Sequence, residues 1–161
     1  MEFIGEYRFN ASALDVWQAL NDPEVLKQTI PGCDRMERIT PTDYAGHLKV
    51  DLGLFNAGFS GTIKLSELNP PTNYRITVEA HAMLVGTASG TAKVRLIDEP
   101  AGAVLYYQAE TALGGRLAKF GAKLMHGTAT RYADKFFARF AEAMAQRNGV
   151  GNGAIERLPP G

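Results

Sequence analysis

The residues able to do chemistry are one thiol, three imidazoles and a set of hydroxyls, and their spacing excludes most catalytic machinery. Cys33 is the single cysteine, so no internal disulfide can form. A Cys-His nucleophile would need an imidazole beside it. None is supplied: period-two alternation sends His47 and His81 to the outward side of their strands, and His126 falls on the polar side of a long helix. Cys33 then reads as a small packing residue. Three scattered histidines with no cysteine cluster lack metal-ligand spacing, so neither metal nor cofactor is expected. Gly114-Gly115 with Gly121 has neither the preceding Gly-x-Gly nor the following Lys-Thr that cradles phosphate. Aromatic and basic residues are not interleaved, so no nucleic acid is expected as a partner. The hydroxyls of Tyr44, Tyr74, Tyr107, Tyr132 and Thr111 remain, all with inward parity. They suit the orientation of a carbonyl or quinone oxygen, against the commoner role of buried tyrosine in packing.

The element that must position them runs from Leu113 to Arg147. It contains no proline and carries Leu117, Phe120, Leu124, Thr128, Tyr132, Phe136, Phe140 and Met144 at helical spacing. As one helix it would be about 50 Å long and cross the whole domain. Its apolar stripe has a period of four, which rotates by roughly 40° per step on a straight helix. Burial along its length therefore requires a sheet curved around it, or a bend near Gly121 or Gly127.

The rest of the chain supplies that sheet. Glu2 to Phe9 alternates as a half-buried strand. Ser12 to Asp15 has capping-box form ahead of one short helix, and Asp22-Pro23 starts a second that stops at Pro31-Gly32. Six strands follow, near 34–39, 44–52, 59–68, 74–83, 87–97 and 103–112, with short connections that favour an antiparallel meander. The fold class is α+β: a curved seven-stranded antiparallel sheet wrapped around a long C-terminal helix, with two short helices after the first strand. One domain over residues 1–147 and a disordered Gly/Pro-rich tail over 148–161 are expected. The 161 residues are 45% hydrophobic and 21% charged, enough for one core. With 17 basic and 17 acidic residues there is no global field, so any electrostatic partner must meet a local patch. The start lacks signal-peptide form and no apolar run approaches a membrane span, which points to a cytoplasmic protein.

Two features of the sheet bear on function. Its inward face is rich in Gly and Ala, including Gly46, Gly61, Ala80, Ala82, Ala88, Gly90, Ala92 and Ala109. Small residues opposite a helix bearing Phe and Leu either let the helix sit close or leave space for an apolar ligand. In the second case Phe59, Ile63, Tyr74, Val78, Tyr107, Leu117, Phe120 and Leu124 are the expected ligand-binding walls. The other feature is an asymmetry between sheet ends. Connections at one end are polar turns, while those at the other hold Leu54, Phe55, Met83, Leu84 and Val85. That apolar rim is either covered by Trp17 or the Pro31-Gly32 loop, or is a cavity mouth. Beside it stand Arg116, Lys119 and Lys123, which are either a solvated helix face or, with the rim, a contact for anionic lipid.

The order of elements resembles the helix-grip, START-like (SRPBCC) superfamily. Within it, several stretches resemble the CoxG family, named for the G subunit of carbon monoxide dehydrogenase, over residues 1 to about 146. They are Met1-Glu2-Phe3 with Gly5, Asp22-Pro23, Ile30-Pro31-Gly32-Cys33, Phe59-Ser60-Gly61, Gly86 to Ala92, Gly114-Gly115-Arg116-Leu117-Ala118, and Phe136-Phe137. The resemblance implies a non-enzymatic accessory to a molybdenum hydroxylase, membrane-associated, binding a quinone or similar lipid. The short Gly/Pro tail departs from relatives with long extensions, so only transient contact at the inner face of the membrane is expected. A cyclase or hydrolase using the tyrosines, and a ligand-free assembly factor with a solid core, are the alternatives.

Overall fold

The computed structural model describes residues 1–53, 55–120, 122–148 and 155–158, with backbone alone at 120, 122–125, 148 and 155–158. Strand β1 (Glu2–Phe9) turns Gly5, Tyr7 and Phe9 inward, as alternation requires. Helix α1 (Ala13–Leu20) begins where Ser12 Oγ accepts from Asp15 N at 3.2 Å. Helix α2 (Pro23–Thr29) begins where Asp22 Oδ1 accepts from Glu24 N at 3.0 Å. Each cap satisfies an amide that has no partner within the helix. The chain then turns at Gly32, whose φ is +76°. A Cβ there would lie 2.1 Å from the Lys49 carbonyl oxygen, so the crossing into the sheet needs glycine.

Strands β2 (Cys33–Arg38), β3 (Asp43–Asp51), β4 (Asn56–Asn69), β5 (Asn73–Ala82), β6 (Gly86–Glu99) and β7 (Gly102–Gly115) form an antiparallel meander. β1 closes it by pairing with β7 from Glu2↔Glu110 to Phe9↔Ala103. The sheet is curved around the C-terminal helix α3 (Ala122–Asn148), giving the seven-stranded helix grip that the sequence predicts.

Three details differ from expectation. The helix does not begin at Leu113. β7 continues to Gly115, a 3-10 turn occupies Arg116–Phe120, and α3 starts at Ala122. Strand pairing of Gly86 with Gly115 and Ala88 with Leu113 outcompetes helix formation, because two adjacent glycines are poor helix formers. At 27 residues α3 is roughly 40 Å long. Gly121, one proposed bend, lies outside the described residues. Within the stretch expected to be disordered, Ile155–Leu158 forms β8 and pairs with Glu6–Phe9 on the outer edge of β1. The backbone groups of that edge are strong hydrogen-bonding groups, which short polar sequence did not advertise. The helix buries the expected Thr128, Phe140 and Met144 and adds Phe137 and Ala141 to the stripe, whereas Tyr132 and Phe136 are half-exposed. A straight helix follows its own 3.6 period, which selects 137, 140, 141 and 144 over the sequence's period of four.

The interior divides in two. A larger core joins α1, α2 and the C-terminal half of α3 to β1, β5, β6 and β7, centred on Phe9, Val16, Leu105 and Phe140. A smaller one gathers Leu52, Ala57, Phe59, Ala82 and Leu117 at the opposite end of the sheet.

Candidate ligand cavity

Between these two cores lies a cavity of about 500 Å³. Its floor is the middle of the sheet: Ile63, Leu65, Ile76, Val78, Ala92, Val94, Ala109 and Thr111. Alternation puts all of them on one face, and the register aligns Ile63 with Val78, Val78 with Gly90, and Gly90 with Thr111. Its roof is α3, through Ala129, Tyr132, Ala133, Phe136 and Phe137. The small floor residues Ala92 and Ala109 leave this gap, since alanine cannot span the distance to the helix.

Each flank is set by a different element. On one side Phe3 of β1 stacks on His126 of α3, ring centroids 4.8 Å apart. On the other side α2 and the following loop bring Leu26, Ile30 and Pro31 to the wall. Two lining tyrosines are braced from behind: Tyr74 meets the Trp17 ring edge-on at 4.8 Å, and Tyr107 lies over Gly5, where a Cβ would sit 2.3 Å from its Cε1.

The polar groups are few. Tyr44 Oη donates to the Asn21 carbonyl at 2.7 Å and accepts from Arg38 at 3.1 Å, while Arg38 also donates to that carbonyl. Tyr132 Oη accepts from Asp51 N at 3.0 Å, bridging α3 to β3. Burial pushes the Tyr74 phenol well above its ordinary pKa, with a smaller push from Tyr44, so it stays protonated. Glu2 accepts from Gln108 at 3.2 Å. Thr111 Oγ1 is buried without a hydrogen-bond partner. Among the described residues no Lys or Arg lines the cavity, and no group of three His, Cys, Asp or Glu side chains gathers as a metal site. Cys33 lies apart, its thiol donating to the Arg35 carbonyl at 3.3 Å and pushed up in pKa chiefly by burial.

The wall residues expected from sequence separate into two places. Ile63, Tyr74, Val78 and Tyr107 line the cavity together. Phe59 and Leu117 instead fill the smaller core and do not line it; Phe59 lies four residues before Ile63 along β4, at the end of the sheet where that core sits. The side chains of Phe120 and Leu124 lie outside the described residues. The residues expected at the mouth do not line this cavity either. Phe55, Met83, Leu84 and Val85 are separated from the cavity by the smaller core, against which Val85 packs, and Leu54 is not described. Met83 and Leu84 are 86% and 80% exposed, and Phe55 is 42% exposed. Leu84 holds φ +64°, a left-handed conformation that costs a non-glycine residue about 1–2 kcal/mol. Arg116 and Lys119 are exposed on the adjoining 3-10 turn, which Leu117 N ties to Val85 O at 3.1 Å. The Lys123 side chain is not described. Sequence reasoning missed Leu20, Leu26, Ile30, Pro31 and Phe3 as walls. The inward parity of Phe3 was available, whereas nothing local says where α2 docks.

The comparisons agree with this architecture. The protein of Geobacillus kaustophilus known as a conserved protein superposes with a TM-score of 0.85 at 22% identity, over 91% of this chain and 96% of that one. The Zhui aromatase/cyclase of a Streptomyces superposes with a TM-score of 0.64 at 17% identity, over 94% and 98%. A Rhizobium leguminosarum protein gives 0.69 at 12% identity, over 91% and 95%. At these identities the likeness is one of fold. No curated protein matches the sequence. The family model for CoxG, the G subunit of carbon monoxide dehydrogenase, matches residues 5–145, which is nearly the whole helix grip, and the chain belongs to that family.

Proposed function

We propose that this protein carries a hydrophobic, quinone-like or lipid molecule, as a non-enzymatic accessory to a membrane-recruited molybdenum hydroxylase of the carbon monoxide dehydrogenase type. The observation that carries the reading is the cavity itself. A void of about 500 Å³ walled by Ile, Val, Leu, Ala and aromatic side chains is of ligand size, and leaving it unfilled forfeits packing that a structural core would keep. The family match supports the partner. No helix among the described residues is long and apolar enough to cross a membrane. Contact with lipid would therefore be peripheral, through Met83 and Leu84 with Arg116 and Lys119, and the left-handed Leu84 supports a role for that tip beyond folding. A cyclase reading has less support: the ionisable side chains that line the cavity, Glu2 and His126, are engaged by Gln108 and Phe3, and the rest of the lining is apolar or hydroxyl-bearing. Native mass spectrometry after gentle purification tests the carrier. The expected spectrum contains a protein-ligand adduct that disappears on solvent extraction; a bare chain from every host and growth condition would refute it.

A further inference from the structure

We propose that the Tyr74 hydroxyl is the hydrogen-bond donor that fixes the ligand, so that the cavity selects neutral molecules entering with a carbonyl oxygen first. The inference rests on the carrier reading and adds the ligand's chemical class to it. Tyr74 is 4% exposed and lines the cavity. Its ring is pinned against Trp17, and its hydroxyl has no hydrogen-bond partner among the described residues. Unlike Thr111 Oγ1, which is sealed off, the Tyr74 hydroxyl stays reachable, so a ligand oxygen can satisfy it. The neighbouring hydroxyl cannot serve in its place as a donor, because Tyr44 already gives its proton to the Asn21 carbonyl.

Charge decides the class. Desolvation holds the Tyr74 proton in place, so the group offers a donor at any physiological pH. Arg38, the cation bonded to the neighbouring Tyr44, is spent on Asn21 and Tyr44 and does not line the cavity. A carboxylate drawn to this hydroxyl would be a buried anion without a counter-charge, whereas a ketone or quinone oxygen needs only one donor. Trp17, Tyr107 and Phe137 around the site favour a flat ring beside that oxygen.

The test uses three naphthalenes of nearly equal shape that compete with the neutral dye Nile red: 2-acetylnaphthalene, 2-isopropylnaphthalene, which has a methyl in place of the oxygen, and 2-naphthoate. In the wild type the ketone should bind roughly five- to tenfold more tightly than the hydrocarbon, the ratio one neutral hydrogen bond provides, and the naphthoate should bind least. Tyr74→Phe should bring the ketone down to the hydrocarbon and leave the hydrocarbon unchanged, while Thr111→Val should keep the wild-type ratio. Equal binding of ketone and hydrocarbon to the wild type would overturn the proposal while leaving the carrier reading intact, and needs no variant to fold. Loss of the ratio in Thr111→Val with its retention in Tyr74→Phe would overturn it too. If neither the dye nor any naphthalene bound, the cavity reading would fall with it.

Discussion

Tyr74 shows at the scale of one residue how folding changes chemistry. Its pKa is raised by burial above the ordinary value of 10.0. Above that pH the unfolded chain releases the phenol proton while the folded one keeps it, so the folded state binds more protons and stability falls as pH rises. The contribution is intact below about pH 10 and is lost on going higher. Chemical denaturation across the alkaline range should show a decline beginning near pH 10 that is shallower in Tyr74→Phe; identical slopes would mean the phenol is not desolvated. The direction of such side chains was legible in the sequence, because alternation alone turned Tyr44, Tyr74, Tyr107 and Thr111 inward and His47 and His81 outward. Which of the inward hydroxyls are engaged and which, like Thr111, lack a partner was not. It depends on Asn21 and Arg38, which reach Tyr44 from α1's end and from β2.

Among elements, α3 divides its duties along its length. Phe140 is fully buried, edge-on to Phe9 at 5.4 Å, while Phe136 faces the cavity and is half-buried. Phe140→Ala should therefore cost about 3–5 kcal/mol, the range for truncating a packed Phe. Phe136→Ala should cost less, since one side of its ring meets a void, and Phe55→Ala less again. Denaturant melts of the three check the order, and a Phe55→Ala loss equal to that of Phe140→Ala would make the rim ordinary core. Strand and helix identities were readable because each has its own hydrophobic period. The boundary at Leu113–Ala122 was not, since a Gly-Gly step weakens helix and strand alike and only the remote pairing with Gly86 and Ala88 settled it. The tail strand β8 was equally hidden, as its partner, the edge of β1, is remote in sequence.

At the scale of the whole molecule, the apolar tip and the cavity are separated by the smaller core, so the proposed membrane contact and the proposed ligand storage can be tested separately. Arg116 and Lys119 together would attract an anionic surface by about 2 kcal/mol, and burial of Met83 or Leu84 adds roughly 1.5–3 kcal/mol each. Co-sedimentation with anionic vesicles should then be measurable at low salt and weaken as salt rises. Met83→Ser with Leu84→Ser should abolish it without lowering the melting temperature, and survival of binding in that variant would place the contact elsewhere. The central claim is that the interior void holds a ligand, and native mass spectrometry of the wild type beside Ala109→Trp tests it most directly. Ala109 stands on the cavity floor, and an indole there fills the space while leaving the exposed tip untouched. The account predicts an apolar adduct on the wild type and none on a folded Ala109→Trp protein. An adduct of the same mass and occupancy on both would contradict it.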